Sequence, residues 1–185
     1  PEFAAVTGVS TGALAAPFAY LGPAWDHKLE QVYTTYSTKD LVSRTLLSAV
    51  TSSAIYSTRR LQGMIARFFN RGVMAAVAAE FREKGRLLSI GTTNLDTLRP
   101  VIWNIGRIAA SGHPGALELI RKILLASASI PIAFPPVSID VEADGRPYDE
   151  LHVDGGASAQ VFLYPAGIDW ARVLDILDVK GRPNV

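Results

Sequence analysis

The sequence predicts an α/β domain built on a mostly parallel sheet. Short apolar runs alternate with long helical stretches, the pattern of strands buried under helices. The first run, Phe3-Ala4-Ala5-Val6, ends at Thr7-Gly8 and gives way at once to a helix of small residues. The chain has 185 residues, of which 49% are hydrophobic and 19% charged, enough for one domain with a real core. Residues 1–185 are therefore expected to form a single domain.

Taken in order, Phe3 to Val6 is apolar along its length and suits a buried parallel strand. Thr11 onward, through Ala13-Leu14-Ala15-Ala16, reads as a helix that Pro17 kinks or ends. From Asp26 to about Gly85 the pattern is helical. Ser37 or Thr38 with Asp40 supplies an N-cap, and Met64 to Lys84 carries apolar residues at spacings of three and four. Arg86 to Thr93 reads as a strand and Pro100 to Ile105 as its neighbour. Pro114 opens a helix from Gly115 to about Ala126, and Pro131, Pro135 and Pro136 stiffen the loop after it. Leu151-His152-Val153 is a short strand running into Asp154-Gly155-Gly156, and Val173 to Val179 alternates as a last strand.

Several function classes are excluded by composition. The net charge of +1 gives no field of one sign for a nucleic acid, so no nucleic-acid partner is expected. Cysteine is absent, which removes disulfides, thiolate metal sites and a cysteine nucleophile, and leaves the cellular compartment open. No apolar run reaches the ~18–20 residues of a membrane span. The longest candidate, Ala13 to Leu21, is short and broken by Pro17. The acidic residues Asp140, Glu142, Asp144, Asp149 and Glu150 fall in a Gly- and Pro-bearing loop and read as solvated, so no metal site and no cofactor are expected.

The chemistry concentrates at Gly8-Val9-Ser10-Thr11-Gly12. A serine on a sharp strand-to-helix turn is held in a strained backbone conformation with its Oγ exposed, and glycines on either side let strand and helix approach. The following helix aims free N–H groups and a positive dipole end at the place where an oxyanion forms. The competing reading is a tight β-to-α turn whose serine caps the helix.

A serine nucleophile needs a proton acceptor. None of the three histidines, His27, His113 and His152, follows Asp154, so a triad in the order Ser, Asp, His using that aspartate is ruled out. His27 and His113 read as solvated surface residues. His152 precedes Asp154 by two on a strand, placing both on one face. Asp154 ends a β-like run and is followed by two glycines, which suits a carboxylate at a strand's C-terminal edge, where ligands of α/β sheets gather. The alternative there is an Asp-Gly turn in a hairpin.

Together these residues resemble the patatin-like phospholipase family. The likeness rests on three blocks in order: Gly8 to Leu14, the run Ala126-Ser127-Ala128-Ser129-Ile130-Pro131-Ile132-Ala133-Phe134-Pro135-Pro136-Val137, and His152-Val153-Asp154-Gly155-Gly156. It covers nearly the whole chain, least diagnostically from Asp26 to Gly85. The resemblance implies a three-layer α/β/α fold and hydrolysis of lipid ester bonds through a Ser–Asp dyad and an acyl-serine. Ser10 is then the nucleophile, Asp154 the general base, Gly8, Gly12, Gly155 and Gly156 the motif glycines, and the Ala-Ser-Ala-Ser-Ile-Pro block a wall of the site. A lipid or acyl-ester substrate and transient contact with a membrane surface follow. In the family a glycine-rich oxyanion loop sits on a strand upstream of the elbow, so that strand and loop are expected before Pro1.

Two further readings compete: a serine esterase or peptidase using His113 or His152 as base, and an inactive lipid-binding or scaffold domain of the same fold. Trp25, Trp103, Trp170 and Val161-Phe162-Leu163-Tyr164-Pro165 read as core aromatics in preference to lipid contacts.

Overall fold

The protein is described by a computed structural model over residues 2–35, 54–131 and 134–158. The expected cap at Ser37, Thr38 and Asp40, the strand at Val173 to Val179, Trp170 and the Val161 to Pro165 stretch lie outside the described residues. Strand β1 (Ala5–Gly8) leads into helix α1 (Thr11–Leu21), followed by α2 (Asp26–Thr35), α3 (Ala54–Phe68) and α4 (Arg71–Lys84). Then come β2 (Leu87–Asn94), β3 (Arg99–Asn104), α5 (Ile105–Ala110), α6 (Ala116–Ser127) and the strands β4 (Val137–Ala143) and β5 (Arg146–Asp154). Helices pack on both sides of the sheet, giving three α/β/α layers.

The expectation of a mostly parallel sheet is corrected. Among the described residues β1 and β2 run parallel, while β2–β3, β2–β5 and β4–β5 are antiparallel, so the sheet is mixed. The reason lies in the connections: long helical crossovers produce parallel pairs, whereas β2–β3 and β4–β5 are joined by short turns that force antiparallel pairing. The β4–β5 turn is Asp144-Gly145, both residues at positive φ (52° and 71°), the backbone that two-residue hairpins favour. The acidic stretch expected as a loop is thus a hairpin, although Asp140, Glu142, Asp144 and Asp149 are indeed exposed. Val137 and Ile139 are buried while Ser138 and Asp140 are exposed, an alternation with period two.

Two helix expectations also change. Pro17 does not end α1, which runs four residues further to Leu21, with Pro17 and Phe18 buried in the core. The periodic stretch from Met64 to Lys84 is two helices, broken where Asn70 accepts the N–H groups of Gly72 and Val73 (3.0 and 3.2 Å) and so caps α4.

The core is contributed by every layer: Ala13, Phe18 and Tyr20 of α1, Leu61, Met64 and Ile65 of α3, Leu88 and Ile90 of β2, Ile120, Ile123 and Leu124 of α6, and Ile139 of β4. Trp25 and Trp103 are half-buried and pack against it. Among the described residues β1 has β2 on one edge and no strand on the other. Ala5 is accordingly exposed and only Gly8 is buried, where a fully buried strand was expected.

One buried cation ties the start of the sheet together. Arg86, 7% exposed, donates to the carbonyls of Phe3 (2.7 Å) and Tyr20 (2.6 Å) and to the Glu80 carboxylate (2.5 Å). That hydrogen bond, aided by Lys84, holds the Glu80 carboxyl below the usual glutamate range. A lowered pKa in the fold means stabilisation that is present above the ordinary value and lost as pH falls through the lowered one. Glu80→Gln is therefore expected to cost about 1.5–3 kcal/mol near neutrality. Its melting temperature should converge on that of the wild type as pH falls below the usual glutamate range. Thermal melts across pH 3–8 check this, and a gap that stays constant with pH contradicts it.

Candidate active site

Ser10 sits between the end of β1 and the first turn of α1 at φ 56° and ψ −130°. For a residue with a Cβ this backbone is strained, costing ~1–3 kcal/mol, and it persists only where the surroundings enforce it. Its carbonyl accepts the Ala13 N–H at 3.0 Å, so the turn feeds directly into the helix. The Ser10 side chain makes no cap hydrogen bond, which removes the reading of a serine that merely caps α1.

The two flanking glycines do different work. A Cβ on Gly8 would lie 2.7 Å from the Gly12 carbonyl oxygen, 2.8 Å from Ala13 Cα and 2.9 Å from Ala16 Cβ, so β1 and α1 touch there. A Cβ on Gly12 would meet nothing within 4 Å, so packing does not require this glycine. Gly8→Ala should therefore destabilise by about 1–3 kcal/mol or more. Gly12→Ala should be neutral or stabilising by up to about 1 kcal/mol. Denaturant unfolding of the two variants distinguishes them, and equal losses contradict the assignment.

The sheet brings Asp154 to the same place. Ser89 and Ile90 of β2 pair with both β1 and β3, and Thr92 to Asn94 pair with both β3 and β5. Hence β1 and β5 share one edge of β2, running in opposite senses with their C-terminal ends converging. Gly8 stands opposite Ile90 and Asp154 opposite Thr92, with Gly91 between. Asp154 is 5% exposed. Its Oδ1 accepts the Gly156 N–H at 2.7 Å, and its carbonyl accepts the Thr93 hydroxyl at 3.0 Å. A Cβ on Gly155 would lie 2.6 Å from the Gly91 carbonyl oxygen and 3.0 Å from Val9 Cγ1, so only glycine fits where β5 meets the elbow. On Gly156 it would lie 3.0 Å from Asp154 Oδ1, crowding the carboxylate. The Asp154-Gly155 pair is thus no hairpin turn; the hairpin belongs to Asp144-Gly145.

An open cleft of about 460 Å³ results, lined by Val9, Ser10, Ile130, Pro131, Asp154, Gly156 and Ala157. Its walls are mostly apolar, with Ile130 45% exposed at the rim. The histidines lie elsewhere. His27 is exposed, its Nδ1 3.1 Å from the Ala24 carbonyl. His113 lines a separate cleft of about 610 Å³ with Ser111, but both bond to local backbone: His113 Nδ1 accepts the Gly115 N–H and Ser111 Oγ donates to the Ile108 carbonyl. His152 is fully buried, with Nδ1 2.9 Å from Thr92 Oγ1, Nε2 3.1 Å from Glu150 Oε2, and its ring edge-on to Trp103. Both its nitrogens are engaged away from the cleft. Among the described residues no group of three or more His, Asp and Glu side chains has the geometry to hold a metal ion.

Sequence reasoning missed the part played by Gly91, Ser127 and Ser129, which hold this cleft from behind. Ser127 Oγ lies between Ser10 and Gly91, and the Ser129 carbonyl accepts the Asp154 N–H at 2.9 Å. The serines stand in the Ala126 to Val137 block, so the signal was present without its geometry.

The family model of patatin-like phospholipases matches residues 1–166. The chain belongs to this family. No individually curated protein matches it. Patatin-like phospholipases are lipid acyl hydrolases, so membership assigns the chain, at family level, a hydrolase's action on lipid esters. No helix among the described residues is long and apolar enough to cross a membrane.

Proposed function

We propose that this patatin-like domain, read as one unit over residues 1–185, cleaves carboxylic esters of phospholipids or other acyl lipids with Ser10 as nucleophile and Asp154 as general base. The observation that carries the reading is Ser10 itself: a strained turn residue with no cap bond, in one cleft with a buried carboxylate. Ser10 Oγ attacks the ester carbonyl carbon while its proton passes to Asp154. The tetrahedral oxyanion collapses, the C–O bond breaks, and the leaving alcohol takes the proton from Asp154. Asp154 then accepts a proton from water as the water oxygen attacks the acyl-serine, and on collapse the acyl–Oγ bond breaks while Asp154 returns that proton to Ser10 Oγ, releasing the fatty acid. Carboxylates are weak bases beside alkoxides, so the proton moves as the C–O bond forms.

The apolar wall of Val9, Ile130, Pro131 and Ala157 suits an acyl chain, and the exposed rim suits transient contact with a lipid surface. Incubation with phosphatidylcholine vesicles and with short p-nitrophenyl esters tests the activity. Release of free fatty acid and p-nitrophenol is expected; binding to vesicles with no product favours a lipid-binding scaffold instead. His27→Ala, His113→Ala and His152→Ala are each expected to keep most of wild-type kcat in folded protein. A histidine variant as inactive as one lacking Ser10 replaces the dyad with a histidine base.

A further inference from the structure

The end of α6 reaches both residues of the proposed dyad. Ser127, fully buried, donates its hydroxyl proton to the Gly91 carbonyl at 2.7 Å and accepts the main-chain N–H of Ser10 at 3.1 Å. Two residues on, Ser129 is 1% exposed; its hydroxyl donates to the Leu125 carbonyl at 2.8 Å and its carbonyl accepts the Asp154 N–H. A hydroxyl has a single proton, so donation to Gly91 leaves an oxygen lone pair for Ser10, and both directions are determined. Ser10, held in this way, has the strained positive φ of 56°, and Gly91 is the β2 residue lying between the ends of β1 and β5.

We infer that Ser127 is a positioning residue for Ser10: its hydroxyl bridges β2 to the elbow and keeps the Ser10 backbone at the positive φ that presents Oγ to the cleft. This rests on the reading of Ser10 as nucleophile. Ser129 does the same for Asp154 through its carbonyl, so the spacing of the pair is set by one rigid segment, residues 127–129. The Ser10 N–H is occupied by Ser127, so the oxyanion must be stabilised by N–H groups other than that of Ser10.

The test compares full-length wild type with Ser127→Ala, Ser127→Thr and Ser127→Cys. The Thr variant keeps the hydroxyl; the Cys variant keeps the shape with a weaker hydrogen-bonding group. Amide hydrogen exchange at Ser10 needs no activity and should accelerate at least about tenfold in Ser127→Ala. With p-nitrophenyl butyrate, kcat should fall about 10–100-fold while KM stays within about twofold, because a displacement on the order of 1 Å costs about 10² in rate. Labelling of Ser10 by a fluorophosphonate should slow in parallel. Ser127→Thr should restore most of the rate, and Ser127→Cys, the variant least disturbing to the fold, should lie between Ala and wild type. Unchanged Ser10 exchange in Ser127→Ala overturns the clamp whatever the activity. Faster exchange with kcat and labelling within twofold of wild type overturns the positioning role alone. A wild type that carries no label on Ser10 removes the nucleophile reading, and the exchange rate still decides whether Ser127 holds the turn.

Discussion

Ser10→Ala is expected to lower kcat for ester hydrolysis by about three to six orders of magnitude, the loss typical of removing a nucleophile. The fold should survive. The Ser10 side chain makes no cap bond, so its removal takes no helix-capping energy away. Alanine also has no more bulk at Cβ than serine for the strained backbone to accommodate. Release of p-nitrophenol from short esters, with thermal melts run beside it, gives the answer. A folded variant within tenfold of wild-type activity removes Ser10 from the mechanism.

The local parts of this architecture were legible in the sequence, and the tertiary ones were not. An apolar run ending in Gly8, a serine two residues on and a helix of small residues carry the elbow, because strand, turn and helix each leave a mark within a few residues. Gly8 shows the physical reason in its contacts, whereas Gly12 belongs to the pattern without being required by packing. Pairing between strands distant in the chain leaves no comparable mark. The pairing of β5 with β2 brings Thr92 and Asp154 together across 61 intervening residues of chain. The β4–β5 hairpin, in contrast, was readable from the alternation of Val137, Ile139 and Val141 with Ser138, Asp140 and Glu142 up to Asp144-Gly145. Its acidic outer face obscured it. The block that holds Ser127 was legible as a site wall, but its bonding was not, since its two bonds reach residues 36 and 117 positions away.

Asp154→Asn is expected to be about as damaging as Ser10→Ala. Asparagine preserves size and leaves a side-chain oxygen to accept the Gly156 N–H now held at 2.7 Å, so the fold and the turn should persist. What it loses is the capacity to take a proton, and without that the hydroxyl of Ser10 is a poor nucleophile. Because nucleophile and base act as one unit, the double variant should be scarcely worse than either single one. Steady-state kinetics of the three variants on one ester decide this. Additive losses in the double variant would mean that the two residues act in separate steps.

The most direct test of the account is mass-spectrometric mapping of a fluorophosphonate adduct on the full-length protein. A single covalent adduct on Ser10 is expected, abolished in Ser10→Ala and strongly slowed in Asp154→Asn. Ester hydrolysis that persists with Ser10 unmodified, or an adduct that forms on another residue such as Ser111, contradicts it.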